Sequence, residues 1–167
     1  MDGYQSLDAF CTERYLREVT LPALGRGLAS SGRSRSDVEV SLLAMIATGR
    51  TEEEMARAVA GTRAQIAFYG STPAYRGVLD LHGWAELGDE LNSLSRSSRE
   101  NKWEAMGGLV GDDVLHAFAV VAEPAGVAAE IRRRFGGLID RVSFYSPYES
   151  GTEAWDLILQ DLQCPHP

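Results

Sequence analysis

The sequence predicts an α/β fold in which about four parallel strands alternate with helical crossovers, and one helical insertion interrupts the alternation. Residues 39–48 are apolar almost throughout, which is typical of a strand that is covered on both faces. Segments with apolar residues at helical spacing precede and follow this strand. With 167 residues, the chain is too short for a closed eight-stranded α/β barrel, which seldom has fewer than about 200.

The first unit is predicted to be a short strand followed by a broken helix. Residues 2–10 alternate weakly in polarity. Thr12 can cap a helix over residues 13–30, because its hydroxyl can accept a bond from a free backbone N–H of the first turn. Pro22 has no backbone N–H and should kink or split that helix near Val19.

The second unit is the apolar strand and a helix over residues 52–69. Thr51 and Glu54 show the pattern of a capping box, in which each side chain bonds to the other residue's backbone. The acidic first turn also suits the positive end of the helix dipole. The residues expected to face the core are Met55, Val59 and Ile66.

The helical insertion is predicted over residues 73–112, where no core strand is expected. Its short helices are residues 74–81, 84–94 and 102–109, and Asp112 and Asp113 are expected to form a helix cap. After the insertion the alternation resumes with a strand over 117–121, a helix over 123–135, a strand over 141–145 and a helix over 152–162. We expect a single domain over residues 1–167.

Charge and composition exclude several classes of protein. Lys and Arg number 16 against 24 Asp and Glu, and the net charge of −8 has the wrong sign for a protein that holds a nucleic-acid backbone. The longest apolar run is well short of the roughly 20 residues that span a bilayer, and the N-terminus has no basic leader. We expect a cytoplasmic protein that binds neither nucleic acid nor membrane.

Cysteine and histidine are too sparse for a metal site or a disulfide scaffold. These residues are Cys11, Cys164, His82, His116 and His166. The spacing of the histidines fits no common ligand pattern. We expect no metal, and we expect the two thiols to be reduced.

Two segments are candidate anion-binding sites. Ser71 and Thr72 place hydroxyls at a predicted helix N-terminus, where free N–H groups and the helix dipole favour an anion, and Arg76 follows one turn later. Thr12 and Arg14 form a similar pair after the first strand. The alternative in both places is an ordinary helix cap beside a surface arginine.

Two further patterns lie in the last third of the chain, and only the first is a candidate site. Tyr145 to Tyr148 follow the last strand, where parallel sheets bind ligands, so these aromatic rings could flank a flat ligand or cover the sheet edge. The run Arg132 to Arg134 is expected to be a solvated helix face.

Three segments resemble the luciferase-like monooxygenase superfamily, and more narrowly its actinobacterial branch of oxidoreductases that use the deazaflavin coenzyme F420. They are TERYLREVTLPAL at residues 12–24, AFYGSTPAYRGVLDLHGW at residues 67–84 and RRRFGGLIDRVSFYSPY at residues 132–148. The resemblance extends over about four-fifths of the chain. It implies a TIM-type (β/α)8 barrel of which this chain is the C-terminal half, because Asp2 and Gly3 resemble a strand that lies mid-chain in the family.

The resemblance also implies a cofactor and its contacts. The cofactor is coenzyme F420, with FMN as the alternative. Residues expected to bind it are Thr12, Arg14, Ser71, Thr72 and Arg76, and residues expected in the substrate pocket are Tyr75 and Tyr145. No residue is assigned as a general acid or base, since His82 and His116, the near-neutral titrating groups of the matched region, are each more often structural.

A half barrel exposes strand edges and apolar faces that the other half would cover. We therefore expect a homodimer, a second chain that covers the open edge, or rearrangement into an open sheet with helices on both faces. The predicted function is a flavin- or deazaflavin-dependent oxidoreductase or monooxygenase, incomplete as a single chain. The alternatives are a non-catalytic truncated paralogue that acts as a partner or regulatory subunit, and a small-ligand binding module that uses the 71–76 loop.

Overall fold

The structure, a computed structural model, describes residues 4–163. The sequence-based expectations for Asp2, Gly3, Cys164 and His166 lie outside the described residues. Among the residues that are described, no helix is both long enough and apolar enough to cross a membrane.

A parallel sheet of four strands organises the fold, as the sequence predicts. The strands are β1 (Tyr4–Leu7), β2 (Glu39–Ala47), β3 (Ala119–Val121) and β4 (Arg141–Tyr145). Strand β2 pairs in parallel with each of the other three. The first strand is shorter than the predicted 2–10 in its described part, because the chain leaves the sheet at Asp8.

The register defines which strands share an edge of β2. Ser41 pairs with both Ser6 of β1 and Arg141 of β4, so these two strands lie on opposite edges. Met45 pairs with both Ala119 of β3 and Tyr145 of β4. Strands β1, β2 and β4 therefore form one continuous arc, and the three-residue strand β3 lies beyond β1 along the same edge.

Helices cover both faces of this sheet, which agrees with the apolar composition of β2. On one face Val40, Leu42, Ala44 and Ile46 join a buried cluster with residues of α8 (Pro124–Phe135) and α9 (Thr152–Gln163). On the other face Met45 joins a second cluster, built mainly from the helices between β2 and β3.

The helix after β1 is interrupted as Pro22 predicts. It consists of α1 (Glu13–Tyr15), a π-helical segment (Leu16–Thr20) and α2 (Leu21–Ser30). Pro22 is the second residue of α2 and has no backbone N–H to donate. It lies where the backbone hydrogen bonds change from the i→i+5 pattern of a π-helix to the i→i+4 pattern of an α-helix. The wider turn thus absorbs the lost backbone bond next to the predicted break at Val19.

Helix α3 (Glu52–Gly70) begins at the predicted cap with one change in its bonding. The hydroxyl of Thr51 accepts a bond from the backbone N–H of Glu54, as predicted. The Glu54 carboxylate, however, accepts from the N–H of Arg50 at 2.7 Å instead of the N–H of Thr51. Of the residues predicted to face the core, Ile66 is fully buried, whereas Met55 and Val59 are half-buried.

The insertion is helical throughout and longer than predicted. It contains a 3-10 turn (Pro73–Tyr75), α4 (Arg76–Leu81), α5 (Ala85–Ser95), α6 (Lys102–Leu109) and α7 (Asp112–Phe118). The predicted end at Asp112 and the predicted strand start at residue 117 are wrong. Gly111 is the N-cap and Asp112 and Asp113 lie in the first turn of α7, which buries Val114, Leu115 and Phe118 before β3 begins.

The run of three arginines on α8 is only partly a solvated face, so that prediction is wrong for Arg134. Its side chain is 4% exposed. Its guanidinium donates to the backbone carbonyls of Ala119 at 2.8 Å and Ala117 at 2.6 Å. Arg134 therefore ties α8 to the junction between α7 and β3, whereas Arg133 faces solvent and pairs with Glu130.

Candidate functional site

A group of tyrosines lies where β1 and β4 end, on the face of the sheet that the insertion covers. The hydroxyl of Tyr75 donates to Oδ2 of Asp8 at 2.5 Å. The rings of Tyr69 and Tyr75 meet edge to face with centroids 5.5 Å apart. Tyr145 lies close enough to Tyr69 to contribute to the raised pKa of Tyr69. The fold thus brings together Tyr75 and Tyr145, the two residues expected in a substrate pocket.

The electrostatics of this group keep the hydroxyls of Tyr69 and Tyr75 protonated. The hydrogen bond to the Asp8 carboxylate, together with desolvation, raises the pKa of Tyr75 to about 12. Burial is the main cause that raises the pKa of Tyr69, followed by the neighbouring Tyr145 and Asp8. Near neutral pH Tyr69 and Tyr75 therefore act as neutral hydrogen-bonding groups, not as bases.

An aromatic wall extends from the tyrosines toward α1. Phe10 lies 5.2 Å from Tyr75 and stacks on Phe118 at 4.2 Å. Trp84 is next in the row, 6.3 Å from Phe118, and it stacks almost flat on His82 at 4.4 Å. These rings form a continuous row whose middle is core: Phe10 and Phe118 are 2% and 3% exposed, whereas Tyr75, Trp84 and His82 are half-buried.

Thr12 holds the far end of this wall in place. Its hydroxyl accepts from the N–H of Tyr15 at 3.1 Å, which confirms the predicted cap, and it bonds Nε2 of His82 at 2.8 Å. Thr12 is 1% exposed. Burial, with the positive charge of Arg14 nearby, lowers the pKa of His82. Thr12 thus orients the neutral imidazole of His82, which lies 70 positions away in the sequence.

A cavity of about 380 Å³ opens beside Thr12 and carries a surplus of positive charge. Its charged and titratable lining consists of Glu13, Arg14, Arg17, Glu18, His82, His116, Arg133 and Arg134. Arg14 pairs with Glu18 at 2.9 Å, but both side chains are half exposed. The lining holds four guanidinium groups against two carboxylates, but Arg17 pairs with Glu13, Arg133 pairs with Glu130 and Arg134 donates to backbone carbonyls. An anion in this cavity must therefore displace a carboxylate from an exposed ion pair, which costs little.

The predicted anion loop at residues 71–76 forms a separate cavity of about 210 Å³. The Ser71 hydroxyl donates to the carbonyl of Phe68, and the Ser71 carbonyl accepts from Asn92. Thr72 is the N-cap residue of the 3-10 turn, with no side-chain bond to it. Arg76 is paired with Asp89 and lies 3.7 Å from Asp80. The loop does bring Ser71, Thr72 and Arg76 together, with an acidic partner already on the arginine.

Some residues of these sites were not found by the sequence analysis. Tyr69 lies in the quoted segment 67–84 but was assigned no role, and the side chain of Asp8 was assigned none either. Only the contact between the end of β1 and the insertion reveals them. The largest of the cavities described, about 500 Å³, has none of the predicted site residues in its lining. Tyr148 in that lining was part of the aromatic segment after β4, and its hydroxyl caps the end of β2 by donating to the carbonyl of Ile46. Of the two roles considered for the aromatic segment 145–148, Tyr148 has that of covering the end of the sheet. Within residues 4–163 no cluster of side chains suits a metal ion.

Comparison with known proteins gives the site a context. A family model described as luciferase-like monooxygenase matches residues 6–141. Uncharacterized proteins of Mycobacterium tuberculosis and Mycobacterium bovis are 55% identical to this chain over 131 residues, which make up 78% of this chain and 38% of each relative. The chain therefore spans well under half the length of these relatives.

A solved structure supports the fold. The coenzyme F420-dependent tetrahydromethanopterin reductase of Methanopyrus kandleri superimposes with a TM-score of 0.67 at 19% identity. The match covers 95% of this chain and 49% of the reductase. The fold is thus an α/β unit equivalent to about half of a TIM-type barrel, as the sequence predicts.

Proposed function

The chain belongs to the luciferase-like monooxygenase family, and on that premise we propose that it is part of an oxidoreductase that uses coenzyme F420, with FMN as the alternative cofactor. The observations that carry the proposal are the cavity rich in arginine and two half-buried rings next to it, His82, which lines the cavity, and Trp84, which stacks on His82. A flat ring can pack against these two rings while an anionic tail reaches the guanidinium groups. When bound, a flavin or deazaflavin supplies hydride transfer.

The residues near the cavity would bind the anionic part of that cofactor. Arg14 is half exposed and can exchange Glu18 for a phosphate, because surface ion pairs are weak. Thr12 keeps α1 and His82 in place and, being buried with its hydroxyl engaged, acts on the ligand through them. Ser71, Thr72 and Arg76 would contact another part of the ligand, where Arg76 must exchange its partner Asp89.

The tyrosine group would form the substrate side. Tyr75 presents a hydroxyl that is neutral and hydrogen-bonded to Asp8 at physiological pH, and Tyr145 lies at the end of β4 near Tyr69. Such groups can orient a polar substrate and exclude water from the reacting carbon without transferring a proton.

A partner would complete the site. Within residues 4–163 the outer edges of β1 and β4 pair with no strand, and unpaired edges favour addition of further strands. The chain also covers 38% of its mycobacterial relatives and 49% of the reductase. We propose that a second copy, or a separate segment equivalent to the other barrel half, covers these edges. A cytoplasmic location is likewise a proposal.

Fluorescence titration of the purified chain with coenzyme F420 tests the function, with FMN and riboflavin in parallel. Saturable micromolar binding is expected, and FMN should bind more tightly than riboflavin because only FMN carries a phosphate. Arg14→Met should remove most of this preference. Arg26→Met is the matched control, since Arg26 is exposed on α2 and does not line the cavity.

Two results would contradict the proposal. Equal affinities for FMN and riboflavin would show that Arg14 and its cavity do not bind the phosphate of the cofactor. Failure of every cofactor to bind, in a chain that is folded by circular dichroism and at the oligomeric state found by sedimentation, would favour the non-catalytic partner or regulatory subunit.

A further inference from the structure

Two aromatic side chains lie exposed and in contact on the outer surface of the helices. Phe68 of α3 is 48% exposed and Trp103 of α6 is 47% exposed, and the centroids of their rings are 5.8 Å apart. They are the two most exposed of the large apolar side chains that the structure describes. Single apolar residues are common on protein surfaces, whereas adjacent large ones indicate an interaction surface.

A row of small residues continues this pair along α3. Ala56, Ala60 and Ala64 are all exposed, and with Phe68 they follow one another at intervals of four residues, so they share one side of the helix. The buried residues of α3 lie on its other side, toward the core. We call the surface formed by Ala56, Ala60, Ala64, Phe68 and Trp103 the α3–α6 face.

The acidic end of this face is the first turn of α3. Glu53 and Glu54 each have a partner within the chain. Glu52 forms no ion pair with any other described residue, and it lies four positions before Ala56 on the same side of the helix. Its charge is therefore available to a partner at the edge of the α3–α6 face.

The opposite end of the face is basic. Lys102 precedes Trp103, and its Nζ lies 5.2 Å from the centroid of that ring. The ammonium group donates to two preceding backbone carbonyls at 2.8 and 3.2 Å. No carboxylate of the described residues pairs with it, Glu104 included. The loop over residues 96–101 adds two exposed arginines and one glutamate, so this end carries a surplus of positive charge.

These features complement one another when two copies of the chain pack with their α3 helices antiparallel. A two-fold axis between Ala60 and Ala64 sets Phe68 of each copy against Ala56 of the other, a large side chain against a small one. Ala60 and Ala64 oppose each other across the axis, and their small side chains let the two helices approach closely. A parallel arrangement instead sets Phe68 against Phe68 and Ala56 against Ala56, which leaves a gap at one end.

The same antiparallel arrangement brings opposite charges together. It sets the acidic end of each copy, with Glu52, beside the basic end of the other copy, with Lys102, and the symmetry makes this contact twice. Complementary charges favour this orientation over the parallel one, in which like ends meet. The dipoles of two antiparallel helices also attract each other.

We propose that the α3–α6 face binds a second copy of this chain in this antiparallel, two-fold contact. None of its residues belongs to β1 or β4 or lines the cavity beside Thr12. The contact is therefore independent of the proposed oxidoreductase function. A dimer formed through this face leaves the open strand edges accessible to the other half of a barrel.

Sedimentation equilibrium of the whole chain at micromolar concentrations tests the contact. The wild type should dimerise reversibly. Ala60→Glu should raise the dimer dissociation constant at least about tenfold, because two-fold symmetry sets two carboxylates against each other near the axis. Ala23→Glu is the matched control, since Ala23 is likewise an exposed helical alanine, on α2, and it should change the dissociation constant less than about twofold.

A charge exchange tests the orientation. Glu52→Lys and Lys102→Glu should each raise the dissociation constant by about threefold to tenfold, because each sets like charges together. The double variant restores opposite pairs and should return the constant to within about threefold of the wild type. Urea unfolding of each variant monitors the fold, and Ala60→Glu remains decisive where Lys102→Glu loses stability with its two carbonyl bonds.

Two results would overturn the proposal as a whole. They are a wild type that stays monomeric, and a dimer that Ala60→Glu leaves unchanged, which would assign the association to the strand edges. A dimer that Ala60→Glu weakens but the double charge exchange does not recover would overturn the antiparallel arrangement.

Discussion

The hydroxyl of Tyr75 donates to the carboxylate of Asp8, and this bond joins the insertion to the segment that leaves β1. The two residues are 67 positions apart in the chain. Asp8 is exposed, whereas Tyr75 is half-buried against Phe10. The contact is therefore both a tie between two parts of the fold and one side of the proposed substrate pocket.

Asp8→Asn should lower the pKa of Tyr75 from about 12 toward the ordinary tyrosine value of 10, because the amide carries no charge to oppose the phenolate. Carbon NMR of labelled tyrosines across an alkaline pH titration measures this. Tyr148 is the internal control, since burial is the largest cause that raises its pKa and Asp8 has no part in the shift. An unchanged Tyr75 titration would show that the hydrogen bond does not form.

Arg134→Met should destabilise the fold by about 2–4 kcal/mol, because it leaves the carbonyls of Ala117 and Ala119 buried without their donor. Urea unfolding measures the change. Arg133→Met provides the comparison on the same helix, where only an exposed pair with Glu130 is lost, and it should cost at most about 1 kcal/mol. Equal effects of the two substitutions would contradict the buried role of Arg134.

His82 should make stability depend on pH below about 6.5. Its folded pKa is lowered by burial and by Arg14, so the unfolded chain takes up this proton at a higher pH than the folded chain. The stability that the neutral imidazole provides is thus complete above the His82 pKa of the unfolded chain, about 6.5. It is lost as the pH falls through the lower His82 pKa of the folded chain. His82→Gln should flatten this part of the profile in urea unfolding at pH 5 to 8. A variant that keeps the wild-type slope would argue against this role of His82.

Gly49→Ala should destabilise the fold by about 1–3 kcal/mol through overpacking. A Cβ at this position would come within 2.7 Å of the carbonyl carbon of Glu54 and closer still to the backbone nitrogen of Met55. Gly25→Ala is the matched control, because a Cβ there meets nothing within 4 Å. In α2 this change should stabilise by about 0.5–1 kcal/mol. Thermal unfolding of both variants gives the signs, and a stable Gly49→Ala would show that the start of α3 can shift.

The elements that the sequence predicts best are those with strong local signals. Strand β2 follows from an unbroken apolar run, and α3 follows from the Thr51 cap. The break in the helix near Val19 follows from the missing N–H of Pro22, whereas its π-helical form was not predicted. Helix α7 was missed because its apolar residues run without a break into those of β3, so that neither a helical nor a strand period dominates.

The candidate site was harder to predict, because its contacts join distant parts of the chain. The caps at Thr12 and Thr51 are local and were found. The bond of Thr12 to His82 spans 70 residues, and no pattern near either residue indicates it. Arg134 illustrates the same limit, since its neighbours on α8 resemble a solvated face and only the carbonyls of Ala117 and Ala119 account for its burial.

The central place of β2 has a consequence for synthesis of the protein. The end of β2 and its partner segment after β4 are 100 residues apart, as the Thr48–Tyr148 bond shows. At about 5–20 residues per second, a ribosome needs roughly 5–20 s to add the residues that close this edge. During that interval the edge of β2 that later pairs with β4 has no partner strand. The nascent chain can misassemble through this edge unless a chaperone or the helices from α3 to α7 cover it.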